Sequence, residues 1–153
     1  MSAVEDRLAE LGLEIPEVAA PVAAYVPVVQ DGNLVYTSGQ LPLVGGKLTA
    51  TGKVGAEVTA EDAAQLAQTC ALNAIAAVKS QVGDLDTVVR VVKVVGFVAS
   101  DPSFTGQPAV INGASELLAK AFGERGAHAR SAVGVAALPL DAPVEVEITV
   151  SVE

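Results

Sequence analysis

The alternation of hydrophobic and polar residues predicts strands in both halves of the chain. Between residues 144 and 152, valine and isoleucine alternate with polar residues, which is the period of two expected for a strand with one buried face. Residues 88–98 are nearly all apolar, apart from Arg90 and Lys93, and this indicates a strand covered on both faces for much of its length. Further strands are predicted at about residues 34–40, 47–50 and 130–137.

Apolar residues at helical spacing predict three helices. The first runs from Ser2 to about residue 13, because Ser2 and Glu5 have the spacing of a capping box. The second runs from about residue 60 to 82 behind a capping Thr59, and the third covers about residues 107–122. After the first helix the order is β, β, α, β, α, β, β. We therefore expect an α+β domain with two helices on one face of a mixed sheet.

Composition and charge narrow the classes of function. The 153 residues are 51% hydrophobic and only 3% aromatic, and the net charge is −9. Nine scattered cations on an acidic chain do not favour a phosphate backbone, so nucleic acid is not an expected partner. No apolar run reaches the roughly 18 residues of a membrane span, and the N-terminal residues lack a signal-peptide pattern. Since Cys70 is also the single cysteine, we expect a cytoplasmic protein without a membrane partner.

Arg130 stands at the start of an otherwise apolar strand. A guanidinium stays charged and has five donors to satisfy, so an anion from the protein or from a ligand is expected beside it. Arg130, Ala132, Gly134 and Ala136 share one face of the predicted strand, and this nearly bare face leaves room for a ligand. The alternative is a surface arginine above a face that packs against a helix.

Three other residues have both a functional and a structural interpretation. Glu145 either performs chemistry or belongs to the solvated polar face of the last strand. His128 lies on the Arg130 side by period two, but a lone histidine is more often simply a hydrogen-bonded or exposed ring. Cys70 lies on the apolar stripe of the second helix and is interpreted as a core thiol. One His and one Cys give no recognised ligand spacing, and a metal site is not predicted.

The distance between Arg130 and Glu145 bears on where a shared site could form. If the last two strands make a simple hairpin about residues 138–143, Glu145 sits near the connection and Arg130 faces the far end of the last strand. The two are then about five residues, or roughly 16 Å, apart along the sheet. Either they do not cooperate, or the site is shared between subunits.

Two sequence blocks resemble a known family. Residues 32–42 read Gly-Asn-Leu-Val-Tyr-Thr-Ser-Gly-Gln-Leu-Pro, and the Arg-Ser pair at Arg130 is followed by Leu-Pro at 138–139 and Glu-Val-Glu at 145–147. Together with Tyr25 and the Asn112 region, these blocks resemble the RidA/YjgF family of small trimeric proteins over about residues 20–152. The resemblance implies a chorismate-mutase-like (bacillus type), YjgF-like fold, as one domain spanning residues 1–153 with residues 1–19 as an N-terminal extension.

The resemblance also implies a function and a site. The family hydrolyses reactive enamine and imine intermediates, such as 2-aminoacrylate, to 2-keto acids and ammonia without a cofactor, in clefts between the subunits of a homotrimer. By motif, Arg130 matches the residue that binds the substrate carboxylate, and Glu145 matches the carboxylate that positions or activates water. The matching cleft-lining positions are Tyr25, Ser38, Gly39, Asn112 and Ala132.

This chain departs from the family pattern in three places, one of which is the N-terminal extension through about residue 19. Ala132 stands where the family often has a cysteine, which removes a thiol but keeps the backbone N–H, and the loop at residues 100–107 is longer. These differences leave open an alternative function, namely a non-catalytic module that binds a small carboxylate or 2-keto acid in the same cleft.

Overall fold

The N-terminal residues fold as their capping signal predicts. The computed structural model describes residues 1–21 and 23–153, and its first helix, α1, spans Ala3–Glu10. The Ser2 hydroxyl accepts a hydrogen bond from the Glu5 backbone N–H, and the Glu5 carboxylate accepts from Ser2 in return. Val4 and Leu8 are buried in the core. The capping box is confirmed, and the helix is held by two apolar side chains on its inner face.

The remaining elements build one five-stranded sheet, one small hairpin and two long helices. The main sheet has the order β1-β2-β7-β5-β6, and only β5 and β6 run parallel. β3 and β4 pair separately around the Gly45-Gly46 turn. In chain order the elements are β1 Val28–Asp31, β2 Leu34–Thr37, β3 Leu43–Val44, β4 Lys47–Leu48, α2 Ala60–Val82, β5 Val88–Ala99, α3 Gln107–Phe122, β6 Ala129–Val135 and β7 Val144–Val152, with 3₁₀ helices at Leu85–Thr87, Gly123–Gly126 and Pro139–Asp141.

Helices α2 and α3 cover one face of the sheet and enclose the core. Alternate residues of β7 are buried beneath them, from Val144 to Val152. The two helices approach each other closely at Gly113, where a Cβ would lie 1.9 Å from the Ala64 carbonyl oxygen. Cys70 is fully buried on α2, as predicted. The α+β class and the mixed sheet with two helices on one face are confirmed.

Two details of the predicted topology are wrong. β1 was not predicted, because this edge strand is mostly exposed and lacks a clear apolar alternation. The predicted hairpin between the last two strands does not form, since β5 lies between β6 and β7. The crossover through α3 returns the chain parallel to β5, and this places β6 at the sheet edge. Residue 22, which the single-domain prediction includes, lies outside the described residues.

Candidate functional site

Arg130 is held by neutral acceptors from α3. Its Nη1 donates to the Asn112 Oδ1 at 2.7 Å and to the Ser115 Oγ at 3.3 Å, and its Nη2 lies 3.4 Å from the Pro108 carbonyl oxygen. The ion pairs formed within residues 1–21 and 23–153 are Lys53–Asp141 and Lys79–Glu5. Within the described residues, neutral acceptors hold the Arg130 guanidinium in place and no carboxylate pairs with it. Some of its N–H donors remain available to another group.

The bare face beside Arg130 does not provide the ligand space that the sequence suggested. A Cβ on Gly134 would lie 2.8 Å from the Gln107 Nε2, and a Cβ on Gly96, the β5 partner of Ala132, would lie 2.4 Å from Ile111. Ala132 itself packs against the core. The interpretation of this face as ligand space is wrong, because its small side chains let α3 lie close to the sheet. The Ala132 methyl group is thus directed into the protein.

Glu145 lies away from Arg130 and packs against the backbone of Gly39. A Cβ on Gly39 would be 2.2 Å from the Glu145 Oε2, so only glycine lets the carboxylate occupy this position. Burial, and then the negative charge of Glu147, raise the pKa of the Glu145 carboxyl. Glu145 is thus half-buried on the partly exposed face of β7, rather than fully solvated. A carboxyl with a raised pKa is suited to exchange protons with a substrate.

Glu145 lines a small pocket. Its volume is about 40 Å³. Tyr25, which is 45% exposed, contributes to the lining. The complete lining is Ala19, Ala20, Pro21, Tyr25, Pro27, Gly39, Gln40, Leu41, Leu43, Pro139 and Glu145. The pocket is mostly apolar, and it brings together three of the residues that the sequence singled out.

Ser38 supports this pocket from behind. Its hydroxyl donates to the Val26 carbonyl oxygen at 2.6 Å, and its backbone N–H donates to the Pro27 carbonyl oxygen at 2.8 Å. These bonds tie the segment that carries Tyr25 to the end of β2. The structure thus places Ser38 next to the pocket as a support for its wall.

Arg130 and Glu145 are not brought together within one chain. Arg130 is at the level of Val94 on β5, whereas Glu145 is at the level of Phe97. Val94 is buried on the helix-covered face, and neighbouring residues of a strand point to opposite faces. Arg130 therefore lies on the helix-covered face and Glu145 on the other. The two residues do not lie on paired strands, because β5 separates β6 from β7.

His128 and Ser115 belong to the surroundings of Arg130. The His128 Nε2 lies 2.9 Å from the Ser115 Oγ, and the His128 Nδ1 lies 2.6 Å from the Gly126 carbonyl oxygen. The sequence placed His128 on the Arg130 side but missed Ser115. The sequence signal for Ser115 was its spacing from Asn112, because residues three apart on a helix share one face of α3.

Cys70 has no surface that a ligand could reach. It is fully buried, and desolvation, with a smaller contribution from the charge of Glu145, raises the pKa of its thiol well above the ordinary value. Its Sγ lies 3.8 Å from the Val144 carbonyl oxygen. Such a thiol is unreactive. Among the described residues no group of three His, Cys, Asp or Glu side chains could hold a metal ion, and no helix there is long and apolar enough to cross a membrane.

A mixed sheet backed by two helices makes this an α+β domain. The chain belongs to the YjgF family, whose model, described as "YjgF/chorismate_mutase-like, putative endoribonuclease", matches residues 5–150. The resemblance to the RidA/YjgF family that the sequence blocks indicated is thus confirmed.

Individual relatives cover almost the whole chain. Protein TCP17 of Trypanosoma cruzi is 47% identical over 150 residues, which are 96% of this chain and 92% of that protein. The solved structure of the protein Atu1372 from Agrobacterium tumefaciens is 48% identical, with a TM-score of 0.93 over 99% of this chain and 93% of that chain. The structure of E. coli TdcF with bound serine is 27% identical, with a TM-score of 0.65 over 90% of this chain and 94% of that one.

Proposed function

We propose that this protein is a cofactor-independent deaminase that hydrolyses small enamine and imine intermediates, such as 2-aminoacrylate, to 2-keto acids and ammonia. The observation that carries the proposal is the hydrogen bonding of Arg130. Its guanidinium has three neutral acceptors and no carboxylate partner among the described residues. The Asn112 amide fixes one side of the guanidinium. The donors on its other edge are free to bind a carboxylate in bidentate fashion.

The chemistry needs only a bound carboxylate and a delivered water. An imine carbon is already electrophilic, so water adds to the C=N bond while Glu145 accepts one of its protons. Glu145 passes this proton to the nitrogen, so the tetrahedral carbon carries a hydroxyl and an amino group. Glu145 then accepts the hydroxyl proton and delivers it to the amino group, and the C–N bond breaks as the C=O bond forms and ammonia leaves. Imine and water thus give 2-keto acid and ammonia. A carboxyl whose pKa is raised by burial serves well in both directions.

The site would be completed by a second copy of the chain. Since Arg130 and Glu145 lie on opposite faces of one sheet, a small substrate meets both only where one subunit's Arg130 approaches another subunit's Glu145 pocket. A homotrimer arranges three such junctions in a closed ring. We therefore propose a homotrimer in which Tyr25, Gly39 and Glu145 line one side of each cleft, while Arg130 and Asn112 come from the neighbour.

A coupled assay tests the activity. A dehydratase that generates 2-aminoacrylate is mixed with the protein, and the rate of 2-keto acid formation is compared with the uncatalysed rate. We expect acceleration by the wild type, loss of it in Arg130→Ala, and wild-type behaviour in Lys120→Ala, which removes an exposed cation elsewhere on α3. Equal rates with wild type and Arg130→Ala would refute the proposal.

A second candidate is a non-catalytic module that binds a small carboxylate. It is favoured by the related E. coli TdcF, whose structure has serine bound. In that case 2-keto acids raise the melting temperature through Arg130 while 2-aminoacrylate is not turned over. An unchanged melting temperature at millimolar 2-keto acid would exclude this function.

The family description also includes endoribonuclease. We propose no nucleic-acid partner, because the net charge of −9 opposes the binding of a polyanion. An RNA titration at low salt checks this, and tight binding that weakens steeply as salt is added would contradict it.

A further inference from the structure

A continuous hydrogen-bonded chain leads from the backbone to Arg130. The His128 Nδ1 contacts the Gly126 carbonyl oxygen at 2.6 Å, the His128 Nε2 contacts the Ser115 Oγ at 2.9 Å, and the Arg130 Nη1 reaches the same Oγ at 3.3 Å. All three side chains are partly buried. The Ser115 hydroxyl thus contacts both His128 and Arg130.

The direction of each hydrogen bond follows from the chemistry of its end groups. A carbonyl oxygen only accepts, so the His128 Nδ1 must carry the proton. In the neutral ring the Nε2 then accepts, and the Ser115 hydroxyl donates to it. Because the Ser115 hydroxyl proton is used in this bond, the Ser115 oxygen can accept a hydrogen bond from the Arg130 Nη1. A guanidinium only donates, and every partner in the chain is therefore satisfied.

We propose that His128 and Ser115 are positioning residues for Arg130. The bond to His128 fixes the rotation of the Ser115 hydroxyl, and the Ser115 oxygen and the Asn112 Oδ1 together fix the plane of the guanidinium. An arginine held at two points on one nitrogen presents its other edge in a single orientation, which lowers the entropy lost when a carboxylate binds. That the carboxylate belongs to a substrate rests on the proposed function, but the ordering of the guanidinium does not.

The first experiment observes the free protein. The sequence contains four arginines, at positions 7, 90, 125 and 130, so arginine-selective ¹⁵N labelling gives a simple NMR spectrum in which Arg130→Lys assigns the signal. We expect separate, slowly exchanging Nη signals for Arg130 in the wild type, and a His128 ring with its proton on Nδ1. In Ser115→Ala and His128→Ala the Arg130 Nη signals should merge, whereas Ser115→Thr, which keeps a hydroxyl, should restore their separation.

The second experiment measures pyruvate binding by calorimetry with the same variants. We expect about fivefold weaker binding in Ser115→Ala and His128→Ala, which corresponds to one net hydrogen bond, and near wild-type binding in Ser115→Thr. Alanine favours a helix at position 115, so Ser115→Ala keeps the fold.

The outcomes separate this inference from the proposed function. Equally separated Arg130 signals in wild type, Ser115→Ala and His128→Ala would overturn the positioning role, as would a His128 proton on Nε2 or an unchanged pyruvate affinity in both alanine variants. Loss of the Arg130 signal separation in both alanine variants, with no pyruvate binding even by the wild type, would support positioning while contradicting a carboxylate site.

Discussion

Arg130 and Glu145 lie on opposite faces of the same sheet. Arg130, at the edge strand β6, turns toward α3 and donates to Asn112, whereas Glu145 on β7 lies against Gly39 on the other face. The two residues belong to strands that are separated by β5. Under the proposed function, one subunit contributes Arg130 and its neighbour contributes the Glu145 pocket to each shared site.

The contact between Gly39 and Glu145 gives a sharp test of the pocket. In Gly39→Ala the new methyl group would occupy the place of the Glu145 carboxylate, with 2.2 Å to Oε2. The carboxylate must move, and we expect the turnover number to fall about a hundredfold. Binding of pyruvate through Arg130 should change little. Steady-state kinetics and calorimetry measure the two effects separately.

Gly45→Ala is the matched control for this substitution. Gly45 lies in the β3–β4 turn with a φ of 59° and has open space where its Cβ would be. The change costs about 1 kcal/mol of folding stability because L-residues disfavour this conformation, but turnover should stay at the wild-type level. Full activity in Gly39→Ala would show that the carboxylate position is not needed.

The raised pKa of Glu145 predicts a pH-dependent gain in stability for Glu145→Gln. A raised carboxyl pKa favours the fold below the ordinary value of 4.5 and costs stability once the pH rises through the folded-state pKa. At pH 7 the variant avoids the cost of a half-buried charge beside Glu147, and we expect a melting temperature higher by roughly 1 to 4 °C. Below pH 4.5 the difference should vanish, and a lower melting temperature at pH 7 would contradict the account.

The Glu5 carboxylate predicts the opposite pH dependence. Hydrogen bonds from Lys79 and then Ser2 lower the pKa of Glu5 to about 2, so the stability it adds is present above 4.5 and is lost as the pH falls toward 2. Glu5→Gln keeps the capping box but removes the charge, and we expect a loss of about 0.5 kcal/mol at neutral pH. Urea unfolding near pH 7 and near pH 2 measures it. An equal loss at both pH values would show that the charge is not responsible.

The sequence was sufficient where local chemistry determines the structure. The capping box at Ser2, the cap at Thr59 and the alternation of β7 are each encoded in a few neighbouring residues, and each forms as predicted. The burial of Cys70 followed from helical spacing in the same way. The assignment of Arg130 and Glu145 to a site rests on the family motifs and stays a prediction.

The pairing of distant strands could not be predicted from local sequence patterns. Nothing between Ala136 and Val144 indicates that β5 will insert between β6 and β7, because a short connection suits a hairpin equally well. For the same reason, the Ala/Gly face beside Arg130 was taken for ligand space although Gln107 and α3 fill it. Ser115 was missed because its spacing from Asn112 puts both residues on one face of the helix but does not show that this face meets His128.

The most direct test of a deaminase site shared between subunits is complementation between two inactive variants. Arg130→Ala subunits keep Glu145 and its pocket, and Glu145→Gln subunits keep Arg130 and its hydrogen-bond acceptors. Each variant alone should leave 2-aminoacrylate hydrolysis at the uncatalysed rate. In a mixed closed trimer, one junction joins an intact Arg130 to an intact Glu145, so purified hetero-trimers should recover about one third of wild-type activity. Hetero-trimers that remain as inactive as the two parent variants, beside an active wild type, would contradict the account.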